Sequence, residues 1–194
     1  MKFEAKGSTF ENPPAGAYPA VCIRMIDLGT QETTWQGATK MAHKVKIVFE
    51  LNEKMSDGRP FIVMRDFTVS LHENAQLRKF LASWRGRDFT PEELMGFDPK
   101  VLIGKGVLLS LIEKGEYVNI DSAMKLPKGM EAPVPVNQTI FFSLSDFDPV
   151  EFDKLSDKIK EKIRATPEYK SLNVEGIILQ KEQDKDLEED EVAF

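Results

Sequence analysis

Phe61-Ile62-Val63-Met64-Arg65-Asp66-Phe67-Thr68-Val69 runs straight into Ser70-Leu71-His72-Glu73, with Leu77, Phe80, Leu81 and Trp84 beyond. The chain changes period here. Phe61, Val63, Arg65 and Phe67 alternate with Ile62, Met64, Asp66 and Thr68, the two-residue repeat of a strand. Leu77, Phe80, Leu81 and Trp84 then recur at helical spacing. Ser70 and Glu73 have the spacing of a capping box, so the sequence predicts a helix from there to about Trp84, closed by Arg85-Gly86-Arg87.

Working backwards, Ser56-Asp57-Gly58-Arg59-Pro60 is a hairpin turn. Before it, Lys40–Leu51 alternates His43, Val45, Ile47 and Phe49 with Lys44, Lys46, Val48 and Glu50, a second strand with a partly basic face. Gly29–Thr39 reads as a polar loop, and Tyr18–Leu28 as a first strand rich in β-branched residues. Residues 1–16 read as an irregular N-terminal arm, with Asn12-Pro13-Pro14-Ala15-Gly16 breaking any regular structure.

Working forwards, Thr90-Pro91-Glu92-Glu93 caps a second short helix that ends near Gly96. Gly106–Ile112 and Tyr117–Met124 are two further strands joined by the tight turn Glu113-Lys114-Gly115-Glu116. Leu126–Val136 is a Pro-rich linker, extended and semi-rigid. Thr139–Leu144 reads as an edge strand. Asp148-Pro149-Val150-Glu151 starts a helix with Phe152, Leu155, Ile159 and Ile163 on one face. Thr166-Pro167-Glu168 opens a short turn ending near Ser171. The expected organisation is thus an arm at 1–16, a β-rich core at 17–126, a linker, edge strand and helical extension at 127–171, and a disordered tail at 172–194.

That tail, from Asp184 to Phe194, is acidic and stops on an aromatic residue. It carries too little apolar surface to offset the entropy of ordering. Three roles are open: solvation alone, capture of partner proteins, or occupation of a basic groove on the same molecule by the acids as a mobile polyanion. For the second, Phe194 with its α-carboxylate and Glu188, Glu189, Asp190 and Glu191 form a compact ligand for an apolar pocket rimmed by cations. The net charge of −6 divides unevenly, +2 for residues 1–130 and −8 for 131–194. An acidic chain therefore does not exclude a cationic groove in its body.

Hydrophobic residues make up 41% and charged residues 30% of the chain, the balance of a soluble globular protein. No apolar run has the length of a membrane span, and the first residues lack a signal-peptide core. One cysteine, Cys22, allows no internal disulfide. His43 and His72 have no Cys or His near them, so no metal site is expected. A reducing cytoplasm is the expected compartment.

Three strands, a helical insert and two strands is the element order of an OB-fold, a small β-barrel that binds oligonucleotides on strands two and three and on the flanking loops. The fold class expected is mainly β with α: an OB-fold-like five-stranded barrel with a helical insert between strands three and four and a C-terminal helical extension. Ile26-Asp27-Leu28-Gly29-Thr30-Gln31, Trp35-Gln36-Gly37, Leu77–Leu94 with Trp84-Arg85-Gly86-Arg87, and Leu126-Pro127-Lys128-Gly129-Met130 together resemble a family of single-stranded DNA-binding proteins of tailed bacteriophages. The resemblance covers about residues 18–130, and the acidic tail ending in Phe is shared with bacterial and phage proteins of that function. It implies sequence-independent binding of single-stranded DNA in phage replication or recombination, in the host cytoplasm. It also implies partner proteins held by the tail, and the chain is compatible with a homodimer. The linker and helix at 127–165 exceed what a bare OB-fold requires.

Such binding needs cations along the phosphates and flat rings for unstacked bases. Candidate residues are Trp35, Lys40, Lys44, Lys46, Arg65, Phe67, Arg85, Arg87 and Tyr117. All but Arg65 have a second reading. Trp35 either stacks on a base or folds back as a lid. Lys40, Lys44 and Lys46 either meet phosphate or are merely solvated. Arg85 and Arg87 either clamp phosphate or pair with Asp88, Glu92 and Glu93. Phe61 and Phe67 share a face with Val63, as core residues do, and Trp84 closes a core stripe. Tyr117 either stacks or packs at an edge. No phosphate-binding Gly-rich loop, paired metal ligands or nucleophile with a His at telling spacing is present, so no catalysis and no cofactor are expected. Asp27, Asp57 and Asp66 are too scattered to support a nuclease. The rival readings are a protein–protein adaptor and a DNA mimic that blocks a DNA-handling enzyme.

Overall fold

A computed structural model describes residues 11–179 except Gln36, together with the backbone but not the side chain of Trp35. The chain is mainly β. Strands β1 (Gly16–Trp35), β2 (Ala38–Lys54), β3 (Pro60–Thr68), β4 (Gly106–Lys114), β5 (Tyr117–Met124) and β6 (Ile140–Phe142) form an antiparallel six-stranded sheet. Its order is β3-β2-β1-β4-β5, with β6 also paired to β1. β1 runs antiparallel to β4 with Gly16 opposite Leu111, and β4 antiparallel to β5 with Lys114 opposite Tyr117. Helix α1 (Gln76–Arg85) and helix α2 (Pro91–Met95) lie between β3 and β4 in sequence. Helices α3 (Pro149–Asp153), α4 (Asp157–Arg164) and α5 (Pro167–Ser171) follow β6, and residues 174–179 are helical too.

Several boundaries differ from the sequence reading, each for a local reason. Gly29–Thr39 is not a loop: β1 continues to Trp35 and β2 begins at Ala38, because Thr and Gln side chains suit a two-sided ribbon as well as a loop. Ser70 does not cap α1. Its hydroxyl accepts from His72 N in a local turn, and α1 starts after Ala75, which makes no side-chain cap. The Thr90–Glu93 capping box forms as expected, with both reciprocal hydrogen bonds present. The single helix expected after Asp148 is two, α3 and α4, separated at Lys154–Ser156, and their apolar positions still enter one cluster.

The chain divides into two compact units, both of which contain parts of β1 and β2. The first holds the chain up to Met25 and Lys46–Thr139. Its core is aromatic. Phe49 lies 5.4 Å from Trp84 edge-on, and Phe67 lies 4.8 Å from Phe80. Burying such rings contributes more than their area alone. Trp84 Nε1 donates to the Gly106 carbonyl at 2.8 Å, so its polar edge is satisfied. The helix ends because Gly86 takes φ 71°, a left-handed conformation that glycine tolerates without strain.

On the opposite face of the same strands, Val21, Ile23 and Val48 form a second buried cluster with Ile62 against it. The Pro-rich linker is fastened on this face. Glu50, only 1% exposed, accepts from Val136 N (2.7 Å), Asn137 N (2.9 Å) and Asn137 Nδ2 (2.7 Å). Gly106 lets the linker come close: a Cβ there would sit 2.5 Å from the Ala132 Cβ. The linker is thus a strap on the sheet, anchored by a buried carboxylate.

The second unit holds Ile26–Val45 and the chain from Ile140. Ile26 and Leu28 of β1, Ile140 and Phe142 of β6, and Phe147, Phe152, Leu155 and Ile163 form its core. Tyr169 stacks on Phe152 at 5.4 Å.

Candidate functional site

In the first unit, β3 and β5 end the ladder and lie side by side. Between them runs a chain of depressions. The widest, about 600 Å³, is lined by Arg59, Phe61, Ile62, Met64, Tyr117 and Asn119, with Glu11–Pro13 as one wall. A second, about 360 Å³, shares Met64 and Asn119 with it and adds Lys46, Arg65, Asp66 and Lys114. A third shares Arg65 and continues past Lys79 and Ser83. The shared lining residues make one continuous seam along the two strands.

The alternation of β3 decides what faces where. Phe61, Val63 and Phe67 point into the core, and Met64 and Asp66 point out. Met64 is 51% exposed and Tyr117 67% exposed. An unbranched thioether and a phenol ring at one depression supply apolar, polarisable surface for a flat ligand. Cations border it. Lys114 is exposed on the β4–β5 turn. Arg59 holds Asp57 with Nη2 2.6 Å from Oδ2, and the Asp57 carboxyl lies below its ordinary range through that hydrogen bond. Asp57 also accepts from Arg59 N, a turn that places the guanidinium at the mouth of the seam.

Two candidates prove structural. Phe67 takes the core reading of its two: it is buried against Phe80 and carries the Arg65 guanidinium 4.9 Å over its ring. Arg65 is spent on the fold. Its Nη1 donates to the Ile120 carbonyl at 3.1 Å and the Asp121 carbonyl at 2.8 Å, and Nη2 reaches Gln76 Oε1 at 3.3 Å. It bridges β3 to β5 and forms the floor of the seam.

Arg85 and Arg87 take the second of their two readings. Both pair with Glu93, and Arg85 is 11% exposed between Phe89 (4.4 Å) and Phe97 (5.0 Å). Hydrogen bonds from Arg87 and the Thr90 backbone, and a bond from Arg85, hold the Glu93 carboxyl down at about 2. Lys46 is mostly covered and ion-paired with Asp66 beside the seam.

The other expected residues belong to the second unit or fall outside the description. Lys40 is exposed and Lys44 half-buried on β2. The Lys40 carbonyl accepts from Thr33 Oγ1 at 3.0 Å, tying the ribbon across its strands. Trp35 ends β1, and its side chain lies outside the described residues. So do Glu188, Glu189, Asp190, Glu191 and Phe194 of the tail.

The second unit also brings together residues that sequence spacing did not connect. His43 Nε2 lies 2.6 Å from Asp27 Oδ1, and Nδ1 lies 3.4 Å from Glu168 Oε1. Asp27 further accepts from Gly29 N and Leu144 N, and Glu168 from Thr30 N and Oγ1. Burial pushes the Glu168 carboxyl up, but the hydrogen bonds from Thr30 and the nearby His43 hold it down at about 2. The two ring nitrogens face different carboxylates, a geometry that ties strands to helix. Among the described residues no group of His, Cys, Asp and Glu is arranged to hold a metal ion. Asp27, Asp57 and Asp66 each serve a separate partner: His43, Arg59 and Lys46. Cys22 is buried, and that burial pushes its thiol up to about 12.

Sequence reasoning missed Arg59, Met64, Lys114 and Asn119 as lining residues. The signal available was the pairing of the two tight turns, at Ser56–Arg59 and Glu113–Glu116, which lie at the same end of neighbouring strands.

No protein-family profile matches the chain, and comparison with curated proteins finds no significant relative. No helix among the described residues is long and apolar enough to cross a membrane.

Proposed function

We propose that the protein binds single-stranded DNA without sequence preference, as a non-enzymatic component of phage DNA replication or recombination. In this reading the first unit is an OB-like barrel. The strand order β3-β2-β1-β4-β5, the helix between β3 and β4, and the Arg65 bridge from β3 to β5 support it. The single-strand site is the β3–β5 seam, with Tyr117 and Met64 as the stacking surface and Arg59, Lys114 and Lys79 following the phosphates. The acidic tail ending in Phe194 recruits partner proteins in the cytoplasm that houses replication.

The observation that carries the reading is the continuous seam, with an exposed ring and cations, on a sheet of this strand order. Fluorescence anisotropy of a labelled oligo-dT at two salt concentrations, with duplex competitor, tests it. Affinity should fall with salt, duplex should fail to displace the strand, and Tyr117→Ala should weaken binding by about 1–3 kcal/mol. Absence of oligo-dT binding at low salt, or binding indifferent to Tyr117→Ala, refutes the seam as the site.

A further inference from the structure

The two larger depressions of the seam differ in chemistry. The wider one is lined largely by apolar side chains, among them Phe61, Ile62, Met64 and Tyr117. The narrower one, about 360 Å³, has three cations in its lining, Lys46, Arg65 and Lys114, against a single carboxylate, Asp66. Met64 and Asn119 line both. A nucleotide divides in the same way, a flat ring beside an anionic phosphate, and the narrower depression matches the phosphate.

The three cations are not equally available. Arg65 donates to two β5 carbonyls and to Gln76. Lys114 is exposed. Lys46 lies between these cases. Its side chain is only 13% exposed, so packing already orders the stem. Its ammonium donates to Asp66 Oδ1. Asp66 is next but one to Met64 on the outward face of β3, and its side chain stays 39% open to water. A pair hydrated on one side is weak, so its carboxylate is a replaceable partner. A phosphate entering the depression therefore meets a like charge at Asp66 and, at Lys46, a cation whose ordering entropy is already lost.

We propose that Asp66 is a built-in competitor for phosphate: it holds Lys46 while the seam is empty and yields it to a phosphate of the bound strand. The identity of that phosphate as part of a single strand rests on the function proposed above; the exchange at Lys46 is testable without it. Lys46 and Asp66 together bring no net charge to the strand, which limits both the affinity and its dependence on salt. Asp66→Asn brings one more positive charge. Removing a like charge about 4 Å away in near-aqueous surroundings amounts to about a fivefold gain in affinity. One further neutralised phosphate steepens the slope of log affinity against log salt by about 0.7 for a single strand.

Oligo-dT anisotropy on the full-length protein over a range of salt tests the exchange. Asp66→Asn should bind about fivefold tighter at low salt, with the slope steeper by about 0.7. Asp66→Glu, which keeps the charge, should keep the wild-type slope, and the double variant Lys46→Met/Asp66→Asn should return to it. Tripolyphosphate, which has phosphates and no bases, is the second probe. Followed by NMR at the lysine ε-methylenes, it should shift Lys46 and Lys114 at lower concentration in Asp66→Asn than in wild type. If wild type and Asp66→Asn bind oligo-dT with the same affinity and slope, the competition is overturned and the single-strand reading stands. A steepening reproduced by Asp66→Glu, or kept by the double variant, also overturns it, because the Asp66 charge or the Lys46 cation is then not its cause. A protein that ignores oligo-dT, while tripolyphosphate shifts Lys46 more readily in Asp66→Asn, upholds the competition and sinks the DNA reading. If neither probe binds, both fall.

Discussion

Glu50→Ala should free the strap. The carboxylate is 1% exposed and accepts three hydrogen bonds from Val136 and Asn137. Hydrogen bonds to a charged group contribute about 1.5–3 kcal/mol each, so three set a ceiling of roughly 5–9 kcal/mol. The strap does not remain in place with its donors orphaned, however; it lifts and water takes them. The loss is then limited to the docking energy of residues 131–137, about 2–4 kcal/mol in total. With a urea slope of about 2 kcal/mol/M, the midpoint of unfolding should fall by about 1–2 M. Glu50→Gln keeps the shape and one acceptor oxygen but turns an NH2 towards donors, so it should fall between wild type and Glu50→Ala. Hydrogen exchange supplies the local readout: the Val136 and Asn137 amides should lose protection in Glu50→Ala while Trp84 and Leu109 keep theirs. A midpoint within about 0.2 M of wild type, with Val136 and Asn137 still protected, would refute the latch.

Two further substitutions separate fold from site. Phe67→Ala removes a ring packed on Phe80 and Arg65 and should destabilise by about 3–5 kcal/mol in urea unfolding, whereas Tyr117→Ala, at an exposed position, should leave stability within about 0.5 kcal/mol and act on oligo-dT affinity alone. Comparable destabilisation by both would mean that Tyr117 is a packing residue. Glu168 gives a pH signature. Its folded carboxyl titrates at about 2 against an ordinary 4.5, so its stabilisation is complete above about 4.5 and is lost as pH falls towards about 2. Thermal melts of Glu168→Gln should therefore lie below wild type at pH 7 and converge with it near pH 2; a gap independent of pH would exclude the Thr30–Glu168–His43 linkage as its source.

Several elements were legible from residue order because their causes are local. The 61–69 strand, α1, the Thr90 capping box, the β4–β5 turn and β5 rest on periodicity, caps and glycines that act within a few positions. At Gly29–Thr39 the local break signals are overridden by partners far along the chain, and at Ser70 a nearer partner competes for the hydroxyl. The Thr30 side chain and backbone meet Glu168, 138 positions away, and strand pairing then carries β1 through a stretch that reads as a loop. A capping motif is only an offer, and at Ser70 the hydroxyl is taken by His72 N.

The candidate site divides along the same line. Composition and charge order placed cations and aromatic residues on strands two, three and five, and Tyr117 at a strand start beside a tight turn. Sequence alone also put Phe67 and Arg65 on one face, which is correct. Only the tertiary structure decided which way that face points. Burial of Phe67 under α1 turns the whole odd-numbered face of β3 inward, and a two-residue period then puts Met64 outward. Likewise, Arg85 and Arg87 were equally able to meet phosphate or acid until Glu93 came within reach of both. Charge and side-chain type are properties of a residue. Which charge is neutralised, which face is covered by the Glu50-anchored strap and which ring stays exposed are properties of neighbours brought close by folding.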